Sequence, residues 1–245
     1  MNLSKPKINA LLALALFTFV FLAAEFRFDI NVGLLAGAER VVLAQGFILG
    51  ASVIGFIGYA PLLALAQRKS QPKAIATAAV PIAIVGLTQI QSPTGPLALE
   101  ILGCVVFFGL GLLGAAAHRA FALAFQDVPK LATGAGAAYA AGILLQFALN
   151  LLDCGGIVEL IILGAATIII SALSAAPQEA DENPSSTINP FTEPSHVLAK
   201  QACWSIALVM ILACLFSTLD NVVTFSNAHG TIAVQTWPRL FLAAS

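Results

Sequence analysis

Charge is what this sequence has least of. Only 9% of its 245 residues are Asp, Glu, Lys or Arg, against about 25% in an ordinary soluble domain. A fold in water must cover its surface with polar groups, so a soluble domain of appreciable size is excluded. The formal net charge is −1, which leaves no basic footprint for nucleic acid within these residues. Cysteine is sparse too. Cys104, Cys154, Cys203 and Cys214 include no C-x-x-C pair, and three of them sit inside apolar runs. They read as small buried hydrophobes, not as a zinc or disulfide framework. Catalytic signatures are missing as well: there is no H-E-x-x-H, no Walker loop, no G-x-S-x-G and no carboxylate pair in the interior of a span. The chain is not read as an enzyme, and no motif asks for a cofactor or a metal.

What the chain has instead is apolar length. Hydrophobic residues make up 59% of it, and its mean hydropathy is +0.94. Crossing the hydrocarbon core takes about 20 mostly apolar residues. Runs of that kind are expected at Ile8 to Ala24, Val41 to Ala66, Ala74 to Ile90, Leu97 to Leu123, Leu131 to Leu152, Ile157 to Ala175 and Ala202 to Leu219. An eighth begins near Thr231 and is cut off at Ser245. The fold expected is an all-α integral membrane protein, a polytopic helix bundle whose first partner is the lipid bilayer.

Lys5 and Lys7 precede the first span, Arg68, Lys69 and Lys73 lie between the second and third, Arg119 and Lys130 flank the link from the fourth to the fifth, and Lys200 precedes the seventh. All fall on one side, which the positive-inside rule makes cytoplasmic. The expected location is therefore the cell membrane, with a cytoplasmic amino terminus. Leu22-Ala23-Ala24 before Glu25 also permits the first span to be read as a cleavable signal, which would remove one helix and leave the orientation of the rest unchanged.

Residues 1–175 form the first expected unit, six spans. Residues 176–199 carry Pro177, Pro184, Pro190 and Pro194 with Glu179, Asp181, Glu182 and Glu193, a composition that reads as a cytoplasmic linker. Residues 200–245 would begin a second unit. Setting Lys7 against Lys200 without a gap also sets Gly37 against Gly230, Val41 against Val234, and Leu49-Gly50-Ala51-Ser52 against Leu242-Ala243-Ala244-Ser245. That register is what a repeated half produces. The short apolar end from Trp237 to Ser245, with nothing polar after it, leads us to expect that the chain is part of a longer protein.

Six helices with both ends inside, a linker and a second unit in parallel repeat resemble the major facilitator superfamily. The loop Leu65-Ala66-Gln67-Arg68-Lys69-Ser70-Gln71-Pro72-Lys73 matches that family's G-x-x-x-D-R-x-G-R-R loop at Arg68 and in the basic character of Lys69 and Lys73. Gln67 replaces the acid and Ser70 the glycine, so the charge relay given to that acid does not carry over. The fourth span has Gly109, Gly111 and Gly114 but no early arginine, and the fifth has Gly134, Gly136 and Gly142 without the proline of antiporters. The stretches Ala138 to Gln146 and Trp237-Pro238-Arg239-Leu240 are also similar to the facilitator-like membrane units that precede LuxR-type domains in bacterial regulators. The resemblance implies a six-helix half plus helix 7 and a truncated helix 8, with the missing part supplied by a longer chain or by another subunit. It also implies a solute site near the midplane and transport by alternating access.

Polar residues inside spans are the default pointers to such a site. Gln146 and Asn150 lie one turn apart on one face of the fifth span, as cavity amides or as interhelical glue. Glu100 enters the fourth span, either as a proton carrier or as a side chain reaching the outer interface. Glu25, Arg27 and Asp29 at the end of the first span, with Asp220 at the matching end of the seventh, are candidates for an outer gate or a solvated helix end. Arg68, Lys69 and Lys73 form the cytoplasmic motif loop. His118 lies on the last turns of the fourth span beside Arg119, where the plain reading is an interfacial histidine. Three functions stay open on these residues: a secondary carrier of an unidentified small solute, a membrane sensor that binds without moving its signal, and a scaffold bundle.

Overall fold

The computed structural model describes residues 4–68, 74–125, 128–152 and 154–175. Six α-helices account for nearly all of them: α1 (Lys5–Ala36), α2 (Ala38–Arg68), α3 (Ala74–Gln91), α4 (Pro96–Ala124), α5 (Val128–Leu152) and α6 (Gly155–Ser174). All six are long and apolar enough to cross a membrane. The linker, the seventh and eighth spans and the register joining them to the first two lie outside the described residues.

Helices α2 to α6 follow the hydrophobic runs closely, but α1 does not stop at Ala24. It continues through Glu25, Arg27 and Asp29 to Ala36, because neither glycine nor proline interrupts it before Gly33. Its 32 residues make a rod of about 48 Å, against a hydrocarbon core of about 30 Å. What ends it is Gly37, at φ 89°. Its N–H donates to the Gly33 carbonyl at 3.1 Å. A residue with a Cβ is strained at that angle, so the α1–α2 hairpin turns on a glycine.

The centre of the bundle is α1 and α4. About half of each is buried in the other helices, whereas 28% of the apolar window of α2 and 22% of that of α5 are buried. Packing pairs run α2 on α4, α4 on α1 and α1 on α5, giving a front row in the order α2, α4, α1, α5. Behind it α3 lies on α4, α6 lies on α1, and α3 meets α6. Phe28, Phe107, Ile48, Leu87, Leu110 and Leu113 are among the fully buried side chains of this core.

Small residues set the closest approaches. A Cβ at Gly55 of α2 would collide with the Phe108 carbonyl of α4, and one at Gly111 with the Ser52 carbonyl of α2. The two backbones therefore cross in contact, as small-residue seams allow in membrane bundles. Gly142 does the same for α5 against Ala15 and Thr18 of α1.

Candidate functional site

We call the end of the bundle carrying Lys5, Arg68 and Ala124 the near end, and the opposite end, with the Gly37 turn, the far end. Polar side chains gather in two places, the far end and a cavity in the front row.

At the far end, the extra turns of α1 meet three neighbours. Gln45 of α2 donates its amide to Glu25 Oε1 at 2.9 Å and to Asp29 Oδ2 at 3.3 Å. All three side chains are buried. Arg27 points elsewhere around α1 and forms a two-pronged ion pair with Glu159 of α6, its Nε 3.4 Å from Oε1 and its terminal nitrogen on Oε2. Asn31 donates to the Ile90 carbonyl at the end of α3 at 2.5 Å. One turn into α2, Arg40 grips Glu100 of α4 with two bonds of 2.7 Å. These contacts join α1 to α2, α3 and α6, and α2 to α4.

The cavity, of about 360 Å³, lies in the front row, lined by residues of α1, α2, α4 and α5. It is open to the outside of the bundle between α2 and α5, where Val53, Phe56 and Tyr139 are exposed. Phe17 and Phe21 come from α1, Ser52, Val53 and Phe56 from α2, His118 from α4 and Tyr139 from α5. None of the lining residues is Asp, Glu, Lys or Arg. His118 Nδ1 lies 2.7 Å from the Gly114 carbonyl one turn back, and Nε2 lies 2.7 Å from the Tyr139 hydroxyl. A carbonyl only accepts, so Nδ1 carries the proton. In the neutral imidazole Nε2 then accepts, and Tyr139 donates to it. Phe17 and Phe56 stand edge-on to the imidazole, at centroid distances of 5.7 and 5.4 Å, the arrangement aromatic quadrupoles favour. Gly114 leaves room for the Phe17 ring, which a Cβ there would strike.

The residues singled out from the sequence fall as follows. Glu25 and Asp29 are buried against Gln45 instead of forming a solvated helix end, because the helix that carries them runs on beneath α2. Arg27 is tied to Glu159, and Glu100 to Arg40. Gln146 is fully buried on α5, is not among the cavity lining residues, and neither of its amide atoms has a hydrogen-bond partner. Asn150 is half-buried one turn further on. Arg68 closes α2, while Lys69, Lys73 and Asp220 lie outside the described residues. His118 is the one of these residues that faces the cavity.

Gln45, Glu159 and Tyr139 were not picked out as site residues. Glu159 had a readable signal, since a lone carboxylate just inside an apolar run asks for a partner. Tyr139 had none: its role comes from how α5, packed on α1, brings its hydroxyl to His118 of α4. Among the described residues no group of three or more His, Cys, Asp or Glu is placed to hold a metal ion. Comparison with family models, with curated proteins and with solved structures finds no match for the chain.

Proposed function

We propose that the chain is a secondary carrier of the facilitator type, set in the cell membrane with its amino terminus cytoplasmic, and that α1 to α6 make one of its two halves. The observation that carries this reading is the combination of a tied far end and an open, uncharged cavity at mid-depth. At 1.5 Å per residue, Phe17 stands about 18 Å along α1 from Lys5, Phe56 about 18 Å along α2 from Arg68, and Tyr139 about 16 Å along α5 from Val128. Each of these distances is close to half of a hydrocarbon core about 30 Å thick, and His118, about 9 Å along α4 from Ala124, lies between them and the near end. Solute sites of alternating-access carriers are expected at that depth, between two halves. The exposed flanks of α2 and α5 are where the second half, from the same chain or another subunit, would complete the wall. Orientation is supported by the arginines: Arg27 and Arg40 at the far end are each neutralised by a carboxylate, whereas Lys5, Lys7 and Arg68 gather at the near end.

Alternating access makes a direct demand on Val53, which lines the cavity at 54% exposure. With the four natural cysteines replaced by alanine, Val53→Cys in native membranes should react with a membrane-impermeant maleimide applied from either face. Labelling from one face only would remove the carrier and leave a sensor. Labelling from neither would place the cavity against lipid and sink both readings.

A further inference from the structure

We infer that the cavity takes a neutral, ring-bearing solute that carries an N–H or O–H donor, and that Tyr139 Oη receives that donor; this rests on reading the cavity as the solute site. Three observations lead there.

The first is the absence of charge from the lining. An ion leaving water for such a site would lose its hydration without gaining a counter-charge; anions find nothing in return, and cations only the faces of the rings, which is why a cation is among the probes below. The second is the shape of the apolar surface. Phe17 and Phe56 stand edge-on to an imidazole and Phe21 lies against Phe17, which suits another flat ring by stacking or edge contact. A volume of about 360 Å³ is in the small-ligand range.

The third observation sets the polarity of the ligand. Every hydrogen that the lining side chains could donate is already used by the protein. Thr18 gives its hydroxyl hydrogen to the Leu14 carbonyl at 3.0 Å, and Ser52 gives its own to the Leu49 carbonyl at 2.7 Å. His118 gives Nδ1–H to Gly114, and Tyr139 gives its O–H to His118 Nε2. What these groups still offer is lone pairs. A hydroxyl that has donated once keeps acceptor capacity, and the Tyr139 oxygen holds it among the rings. A solute with only acceptors would find no partner here, whereas one with a donor would.

The test uses the full chain in detergent micelles and four probes followed by ligand-observed NMR and titration calorimetry. Indole is neutral, flat and a donor. Its 1-methyl derivative keeps the ring and lacks the N–H, quinoline has only an acceptor, and phenyltrimethylammonium is a cation. Indole should bind saturably and about fivefold to tenfold more tightly than 1-methylindole, the ratio expected of one hydrogen bond. Tyr139→Phe alone would free the His118 Nε2 lone pair to accept the same donor, so the test pairs it with His118→Leu; the double variant should abolish that ratio while 1-methylindole still binds saturably, which also shows that the variant is folded. Val53→Trp, on the exposed rim, should fill the cavity and remove binding of both. The assignment is overturned if quinoline or phenyltrimethylammonium binds more tightly than indole, if the ratio survives in the Tyr139→Phe, His118→Leu double variant, if Val53→Trp binds as the parent does, or if no probe saturates. Its failure is separable from that of the carrier. Indole binding with one-sided labelling of Val53→Cys keeps this ligand class and removes transport, and two-sided labelling with the cation preferred does the reverse.

Discussion

The far end and the cavity are built from opposite materials. At the far end, charges and amides are used to join helices: Arg27 with Glu159, Arg40 with Glu100, and Gln45 with Glu25 and Asp29. In the cavity no charge is present, and the polar atoms are satisfied mainly within their own helices, so little holds the facing walls of α2 and α5 to each other. One region resists opening and the other leaves space. Ionic groups in a low-dielectric bundle are therefore poor pointers to a binding site when each has a fixed partner, because the partner has already taken the interaction a ligand would use.

That contrast can be broken by substitution, with unfolding in detergent as the readout. The largest effect is expected from Arg27→Met, which leaves the Glu159 carboxylate buried and alone; stability should fall by about 3 kcal/mol or more. The double variant Arg27→Met with Glu159→Leu should recover most of the loss, and a double-mutant cycle without coupling would show that the pair contributes nothing. Gly111→Ala should cost about 1–3 kcal/mol, because its methyl group meets a backbone carbonyl of α2 that has no room to withdraw. Gln45→Leu, which strips Glu25 and Asp29 of their shared donor, should also lower stability, by about 1–3 kcal/mol. Tyr139→Phe should cost about 0.6 kcal/mol, the average for a hydrogen bond between membrane helices. A loss as large as that of Arg27→Met would erase the distinction between clasp and cavity. Arg40→Ala should have the smallest effect: Arg40 is solvent-facing, and the melting temperature should stay close to that of the parent.

Much of the fold was legible in the runs of apolar residues. Helices α2 to α6 begin and end within about three residues of those runs, the ordinary uncertainty of helix ends. For α1 the reading stopped where hydropathy stopped, at Ala24, yet a helix ends where its backbone can no longer continue, and Glu and Arg are good helix formers. The site was less legible. Searching the spans for polar residues led to Gln146, Asn150 and Glu100, none of which lines the cavity. The cavity is made of Phe17, Phe21 and Phe56, residue types that any membrane helix carries, and of a bond between His118 and Tyr139 that depends on how α4 and α5 each pack against α1. Nothing local in either helix announces that placement. The six-helix half and the second unit rest on layout and on residues 176–245, and the tests above address them through the cavity they would enclose.

The length of α1 also dictates an order of events during synthesis. Arg27 and Glu159 are 132 residues apart in the chain. At roughly 5–20 residues per second, Glu159 leaves the ribosome about 7 to 26 s after Arg27. Throughout that interval Arg27 lacks its Glu159 partner, and headgroups, water or the insertion machinery must solvate it. Of the far-end ties of α1, those to α2 and α3 can form first, and the one to α6 comes last.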